Sequence, residues 1–222
     1  MDFLVNLLAI WARLYLSLVS GFAVTISVAL AAIPLALLGA LLLTPLRMWG
    51  GSIIHAVTGA YIEFMRNTPL LLQIYLIYFG LPLLGLYPSE FMCGVIGIAM
   101  QHAAFLAEIY RGGIESISQR QWDAARAMGM TWATALRNVI LPQAGLRILG
   151  PIGNQLIILV KDTSLVSAIG VVDLTMVGKV SIERLAVTLE IFLAIALIYL
   201  ALTGALGAVL RIIERRVLER IG

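Results

Sequence analysis

LVSGFAVTISVALAAIPLALLGALLL, residues 18–43, contains no Asp, Glu, Lys or Arg. A helix needs about 20 predominantly apolar residues to cross a hydrocarbon core about 30 Å thick, because it rises about 1.5 Å per residue. This run therefore predicts a first transmembrane helix from about Leu18 to Leu43. Thr44-Pro45 and Gly50-Gly51 follow it and are typical of a turn.

The composition of the whole chain also indicates a membrane protein. Of the 222 residues, 61% are hydrophobic and 12% are charged, with a mean hydropathy of +1.02. Soluble domains are about half apolar and a quarter charged, so a soluble protein and any sizeable water-exposed domain are excluded. The formal net charge of +3 is too small to indicate nucleic-acid binding. We expect an all-α membrane protein with a single transmembrane domain over residues 1–222.

Further apolar segments predict about five transmembrane helices. The expected spans are 18–43, 52–80, 89–107, 148–161 and 185–210. The fourth span runs into Lys161-Asp162-Thr163-Ser164, where we expect it to break. Residues 108–147 are too polar for lipid and have helical periodicity, which predicts a folded aqueous loop.

The distribution of basic residues predicts the orientation in the membrane. Lys and Arg accumulate on the cytoplasmic side. With five spans, Arg47, the loop 108–147 and the C-terminal tail lie on one side and hold most of the 15 basic residues. We therefore expect the N-terminus outside and the C-terminus and loop in the cytoplasm.

The sequence of the polar loop predicts a helix, a break and a second helix. Asp123 is expected in the first turn of the first helix, where a carboxylate suits the helix dipole. Gly129 fits the position after a helix end that needs a positive φ. Thr131 is a candidate N-cap for a helix from Trp132 to about Leu141, and Pro142 is expected to end that helix.

The same run resembles the cytoplasmic signature of ABC importer permeases, E-A-A-x3-G-x9-I-x-L-P. It reads Asp123-Ala124-Ala125, Gly129, Val139 and Leu141-Pro142 here, with Asp123 and Val139 as conservative departures. Three other segments resemble the polar amino-acid (histidine/glutamine-type) branch of that family: Met65-Arg66-Asn67-Thr68-Pro69-Leu70, Glu108 to Ile117, and Lys161 to Leu165. The resemblance covers roughly residues 20–212 and implies a type I ABC importer-like core over 18–212.

The resemblance implies that the loop forms a coupling helix docked on a separate ATPase. The residues implied in that contact are Asp123, Ala124, Ala125, Arg126, Gly129, Leu141 and Pro142. The chain has no G-x-x-x-x-G-K-[ST] phosphate loop, so ATP and Mg are expected on the partner ATPase. Other expected partners are an identical or homologous permease subunit, a second ATPase subunit, an extracytoplasmic solute-binding protein, a polar amino acid and membrane lipid. The expected location is the bacterial cytoplasmic (inner) membrane.

Charged residues inside the spans mark the candidate substrate site, because each costs at least about 2.5–3.5 kcal/mol at the bilayer centre. Asp162 or Thr163 could cap a short helix beginning near Ser164, whose free N–H groups suit an α-carboxylate while Asp162 suits an α-ammonium. The candidate substrate-binding residues are Asp162, Thr163, Ser164, Lys161, Asn67, Thr68 and Glu108. Two structural alternatives remain: Glu63 could pair with Arg66, and Lys161 and Asp162 could pair with Glu108 or with other helices.

A second function remains open, namely an ion-gradient-driven secondary transporter or channel subunit with Glu63, Asp162 or Glu190 carrying protons. That alternative leaves the Ala-rich helix of the loop unexplained. We find no nucleophile–base–acid constellation, so no catalysis is expected on this chain. His55 and His102 are expected to make interhelical hydrogen bonds rather than a metal site, and Cys93 is expected to be a small core or lipid-facing residue.

Overall fold

A computed structural model describes the backbone of residues 2–185 and 188–221, and the side chains of 14–184 and 188–219. Within those residues the chain is helical and contains no strand. The α-helices are α1 (Asp2–Trp49), α2 (Ser52–Asn67), α3 (Leu70–Gly80), α4 (Glu90–Glu115), α5 (Gln119–Ala127), α6 (Trp132–Ala135), α7 (Leu141–Asp162), α8 (Leu174–Leu185) and α9 (Leu189–Ile221). Two 3-10 helices, Leu81–Leu84 and Thr163–Ile169, and a π-helix, Leu136–Ile140, complete the fold.

The number of apolar helices agrees with the prediction of about five spans. Four helical stretches of the described chain are long and apolar enough to cross a membrane: Leu14–Trp49, Glu90–Glu115, Trp132–Ile169 and Leu189–Glu219. The bent pair Ser52–Asn67 and Leu70–Leu84 is a fifth candidate. The all-α membrane fold is therefore confirmed.

Helices α1 and α4 form the centre of the molecule. The buried face of α1 is built from small residues, including Ala32, Ala36 and Ala40, each with no exposed surface. Such residues let two helices approach closely in a membrane. A Cβ on Gly39 would lie only 2.8 Å from the Cβ of Ala103 on α4, so glycine is needed at this contact.

Helix α1 is longer than the sequence indicated. Thr44-Pro45 was expected to begin the turn, but Pro45 lies inside α1 and the helix ends at Trp49. The carbonyl that a proline leaves free can be tolerated inside a membrane helix when neighbouring groups satisfy it. The turn falls at Gly50-Gly51 alone.

The segment 52–80, expected to be one span, is bent by 109° between α2 and α3, and this bent pair is the fifth candidate span. Pro69 has no N–H to donate to the carbonyl of Met65, and it disfavours the helical region for the preceding residue. Thr68 is accordingly extended, with φ −111° and ψ 144°. The proline is visible in the sequence, but the size of the bend is not.

The helices that flank the polar loop extend further into it than expected. Helix α4 continues past Ala107 to Glu115, and α7 begins at Leu141, so 116–140 connects them. The charges at the end of α4 satisfy one another, since Arg111 bonds both Glu108 and Glu115 at 2.6 Å. Paired charges at the end of a helix are compatible with a helix that continues. The loop over 108–147 was predicted from the number of charged residues, without considering that they could pair with one another.

Inside the connecting segment, the helix–break–helix prediction is confirmed and two of its details are wrong. The Thr131 hydroxyl accepts a hydrogen bond from the Thr134 N–H at 3.3 Å, as an N-cap does. Asp123 lies beyond the first turn, because α5 already begins at Gln119. Pro142 does not end the second helix, because it lies in the first turn of α7. A proline ring normally clashes with the carbonyl four residues earlier, and the wider turn of the π-helix before Pro142 makes room for it.

The last span begins later than expected, at Leu189 rather than Leu185, which belongs to α8. Residues 186–187 lie outside the described residues.

Asp173 precedes α8 and is fully buried, accepting hydrogen bonds from the Met176 N–H at 2.9 Å and the Tyr199 hydroxyl at 3.3 Å. Burial raises the pKa of the Asp173 carboxyl above its usual range. Cys93 is buried in the core of α4, as expected.

Candidate functional site

Helix α4 carries the candidate Glu108 and two further residues near it, His102 and Phe105. The three are spaced three residues apart, so successive members are neighbours on the helix surface, while His102 and Glu108 point about 120° apart around the axis. At about 1.5 Å per residue, His102 and Glu108 are separated by about 9 Å along the helix axis. That separation is comparable with the length of an extended amino acid and its contacts.

Glu108 lies at one end of this row and is surrounded by cations. The Arg111 guanidinium donates to its carboxylate at 2.6 Å, and Arg66 on α2 lies 3.7 Å from it. The Arg66 guanidinium also stands 5.4 Å above the Phe105 ring. Arg66 therefore pairs with Glu108, and the alternative in which it pairs with Glu63 was wrong.

Asp162 lies at the other end. Its Oδ2 is 3.1 Å from Nε2 of His102, and Nδ1 of that ring is 2.9 Å from the amide nitrogen of Gln155. Asp162 does not pair with Glu108, but it does pair with another helix, since it links α7 to His102 of α4, as the structural alternative allowed. His102 makes the interhelical contacts expected of it.

The helix break at Asp162 differs from the expectation. The chain continues from α7 into the 3-10 helix Thr163–Ile169 without leaving the helical region. The Thr163 hydroxyl donates to the carbonyl of Val160 at 2.7 Å, and neither it nor Asp162 caps a helix. Because the helical turns are continuous, a free helix N-terminus beginning near Ser164 is not formed, and that expectation was wrong.

The remaining candidates differ in accessibility. Thr68 lies at the bend before α3, and its carbonyl accepts from the Gln101 amide of α4 at 3.0 Å. Asn67 and Lys161 are exposed, Ser164 is half-buried, and Thr163 is fully buried. Lys161 forms no ion pair with any side chain that the structure describes.

Helix α4 thus carries Glu108, contacts Asp162 through His102 and contacts Thr68 through Gln101. Sequence reasoning missed Gln155 and Gln101 entirely and gave Arg66 the wrong partner. The regular spacing of His102, Phe105 and Glu108 was a signal that a helical projection of α4 could have found. Among the described residues, no group of His, Cys, Asp and Glu side chains is arranged to hold a metal ion.

The second candidate site is the surface of α5 and the turn after it. Asp123, Ala124, Arg126 and Gly129 are exposed, and Ala125 faces inward with 1% of its surface accessible. Met128, at the end of α5, is 68% exposed. Leu141 and Pro142, at the start of α7, are also exposed. A helix with small side chains and an exposed apolar end presents a surface that a partner can approach closely.

Three tryptophans join this surface to the membrane helices. Trp132 stacks on Trp122 of α5 with ring centroids 6.0 Å apart and meets Trp49 at the end of α1 edge-on at 5.2 Å. Behind them, buried Ile114, Ile117, Leu136, Ile140 and Ala144 form a small apolar cluster. The α5 surface is therefore packed against the ends of α1, α4 and α7 rather than suspended on a loose loop.

Comparisons with known proteins identify the family of the chain. Residues 6–219 match the family described as "Binding-protein-dependent transport system inner membrane component". The glutamine transport system permease protein GlnP of Escherichia coli (strain K12) is 39% identical over 210 residues, covering 94% of this chain and 95% of that protein. The L-cystine transport system permease protein TcyL of Bacillus subtilis (strain 168) is 33% identical and covers 81% of this chain and 78% of that protein.

Solved structures give the same result. The crystal structure of an amino acid ABC transporter with histidines contains a chain with a TM-score of 0.89 and 35% identity, covering 97% of this chain and 99% of that chain. A chain of the MetNI methionine ABC transporter in an inward-facing conformation has a TM-score of 0.77 at 19% identity, which shows a shared fold. This chain therefore belongs to the family of binding-protein-dependent transport system inner membrane components, and is a transmembrane permease subunit of an ATP-driven importer of the inner membrane.

Proposed function

We propose that this permease carries a polar amino acid, or a related small zwitterion, by alternating access. The observation that carries the proposal is the row of residues on α4 that has Glu108 near one end and the His102–Asp162 pair near the other. Polar groups at membrane depth are tolerated mainly where they line a cavity or pair with one another. The relatives named for glutamine and cystine transport support an amino acid as the substrate.

The charges along this row favour a particular orientation of the substrate. Glu108 is neutralised by Arg111 and approached by Arg66, whereas Asp162 has no arginine or lysine partner among the described side chains. The Asp162 carboxylate is therefore the proposed contact of the substrate α-ammonium. Lys161, Ser164, Asn67 and Thr68 remain proposed contacts for the rest of the substrate, while Thr163 supports the turn from a buried position.

The proposed complex contains a second permease subunit, identical or homologous, beside this chain. Five spans do not readily enclose a path alone, and the exposed polar residues of α2 and α7 need a polar neighbour rather than lipid. We further propose two ATPase subunits below and an extracytoplasmic solute-binding protein that delivers the substrate. In this arrangement the chain itself, a single permease domain over 1–222, binds no cofactor and catalyses no reaction, and ATP and Mg are held by the ATPase.

The proposed mechanism couples the two sites. ATP binding draws the ATPase subunits together, and α5 of each permease moves with the subunit on which it is docked. Because α5 packs through tryptophans on α1, its displacement tilts the membrane helices and changes which side of the cavity is open. ATP must bind one arrangement more tightly than the other for this to occur. An ion-gradient mechanism has no role for the exposed surface of α5.

The experiment that tests the proposal is amino-acid uptake by proteoliposomes that contain the complete complex and its binding protein. Asp162→Asn keeps the size of the side chain but removes its charge. Losing a charge-assisted hydrogen bond costs about 1.5–3 kcal/mol, so we expect the half-saturating concentration to rise roughly tenfold to a hundredfold. ATP hydrolysis without substrate should change much less.

The control for this experiment is Cys93→Ala, a truncation of a buried α4 side chain that has no role in the proposed site. We expect uptake by that variant to match wild type. Unchanged uptake kinetics for Asp162→Asn would show that the carboxylate does not bind substrate. Loss of complex assembly would assign Asp162 to helix packing and would contradict the proposal equally.

A further inference from the structure

We propose that His102 is a positioning residue for substrate binding, and that Gln155 fixes its tautomer so that one oxygen of Asp162 is held for the substrate ammonium. This inference rests on the proposed function, because it assigns a task to a residue behind the proposed contact. The side chains concerned come from two helices, α4 and α7, and are far apart in sequence.

The burial of His102 limits what the ring can do. Only 1% of its side chain is accessible, whereas the Asp162 side chain is 31% exposed. The histidine therefore does not touch substrate, and any effect it has must pass through Asp162. Gln155 is also buried, with 8% of its surface accessible, and lies on the opposite side of the ring.

The hydrogen bonds determine which ring nitrogen carries the proton. The amide nitrogen of Gln155 is a donor, so Nδ1 of His102, at 2.9 Å, accepts. The remaining nitrogen, Nε2, then carries the hydrogen and donates it to Oδ2 of Asp162 at 3.1 Å. In this arrangement Nδ1 accepts and Nε2 donates, so the Asp162 carboxylate is oriented by a single hydrogen bond.

The contrast with Glu108 shows the consequence of this arrangement. Glu108 accepts from the charged guanidinium of Arg111 through both carboxylate oxygens, so its charge is cancelled. Asp162 accepts one bond from the His102 ring, and Oδ1 makes no hydrogen bond within the described residues. The Asp162 carboxylate thus keeps one open oxygen, which suits a single primary ammonium group.

Orientation of the carboxylate is the reason a buried ring can matter for binding. The terminal torsion of an aspartate is broad, so an unsupported carboxylate samples many directions. A group behind it that fixes one oxygen reduces the ordering cost when substrate binds. The neighbouring Lys161 is exposed and without an ion pair in the described chain, so a freed carboxylate could turn towards it instead.

The test compares His102→Ala, which removes the donor, with His102→Gln, whose amide nitrogen can reach a similar position. We expect His102→Ala to raise the half-saturating substrate concentration for uptake roughly tenfold with little change in maximal rate, since only binding is affected. His102→Gln should recover most of that loss. Gln155→Leu leaves the ring in place but frees its tautomer, and should give a smaller rise.

A double variant separates positioning from packing. If His102 acts through Asp162, then His102→Ala combined with Asp162→Asn should be no weaker than Asp162→Asn alone. If the increases in half-saturating concentration from His102→Ala and Asp162→Asn multiply in the double variant, the inference is overturned. Unchanged kinetics in both His102→Ala and Gln155→Leu would overturn it too. Should His102→Ala fail to assemble, His102→Gln and Gln155→Leu decide, because both retain a side chain of similar volume.

The same measurements distinguish the two proposals. Unchanged uptake kinetics in Asp162→Asn would contradict the proposed substrate site and this inference together. A strong effect of Asp162→Asn with a wild-type response in His102→Ala and Gln155→Leu contradicts this inference alone. Cys93→Ala, on the same helix and equally buried, is the matched control for removing a side chain from the interior of α4.

Discussion

Gly129 is the residue whose conformation determines how α5 ends. It has φ +81°, its N–H bonds the Arg126 carbonyl at 2.9 Å, and the Met130 N–H bonds the Ala125 carbonyl at 3.1 Å. These two bonds form the Schellman motif that closes α5. No heavy atom lies within 4 Å of the position a Cβ would take, so a substitution here is opposed by backbone strain and not by crowding.

We predict that Gly129→Val abolishes substrate-stimulated ATP hydrolysis in the assembled complex while the subunit still inserts in the membrane. A left-handed conformation costs an ordinary residue about 1–2 kcal/mol, and a β-branched residue is a true outlier there. Gly129→Asn is the matched control, because asparagine adopts this region readily, and it should retain most of the stimulation. Normal stimulated turnover in Gly129→Val would contradict docking through this turn.

At the scale of residues, the sequence predicts local geometry better than distant partners. The positive φ of Gly129 and the N-cap at Thr131 depend on neighbours within a few positions, and both were predicted correctly. The partners of His102, in contrast, lie 60 and 53 positions away along the chain. No spacing rule connects such residues, because only the packing of α4 against α7 brings them together. The predicted cap at Thr163 failed for a related reason, since the turn there continues instead of restarting.

At the scale of elements, the bend between α2 and α3 is held by two amides that satisfy the carbonyls freed by Pro69. The Gln73 amide nitrogen lies 2.9 Å and that of Gln101 3.1 Å from the Met65 carbonyl. Both amides also reach the carbonyl of Thr68, at 3.3 Å and 3.0 Å. The proline could be recognised in the sequence, but the 109° angle depends on Gln101, which belongs to another helix.

We predict that Gln73→Leu and Gln101→Leu are individually tolerated and together strongly destabilising. Either amide alone still satisfies Met65, so each single variant should cost about 1 kcal/mol. The double variant leaves a buried carbonyl without a donor and should cost more than the sum. The measurement is thermal unfolding of the purified complex in detergent. Strictly additive effects would show that the amides act independently of the freed carbonyl.

At the scale of the whole molecule, burial separates the helix that carries His102 and Glu108 from the helices that surround it. In the apolar 18-residue stretch of α4, 67% of the residues are buried inside the subunit, whereas the corresponding stretches of α1 and α9 are buried to 28% and 17%. The outer faces of α1 and α9 expose leucines such as Leu38 and Leu200, at 57% and 66%. Hydropathy alone predicted the spans, because surfaces that face lipid must be apolar. It could not predict which helix lies at the centre.

Exposed polar and exposed apolar residues of the spans should therefore meet different surroundings in the assembled complex. Asn67 on α2 and Lys161 on α7 are exposed in this subunit, although both belong to segments predicted to lie in the membrane. A lysine facing lipid would cost at least about 2.5–3.5 kcal/mol, so these positions are expected to face water in the cavity between subunits. Leu38 and Leu200 are expected to face lipid.

We predict that this difference appears in thiol labelling of the complete complex. The single native cysteine, Cys93, is buried, and Cys93→Ala provides a cysteine-free background. In that background, Asn67→Cys and Lys161→Cys should react at least about tenfold faster with a charged maleimide, added to both sides of the membrane, than Leu38→Cys and Leu200→Cys. The physical reason is that the reactive thiolate forms only where water can solvate it. Equal labelling at all four positions in a complex that still transports would contradict a water-filled cavity on the polar side of α2 and α7.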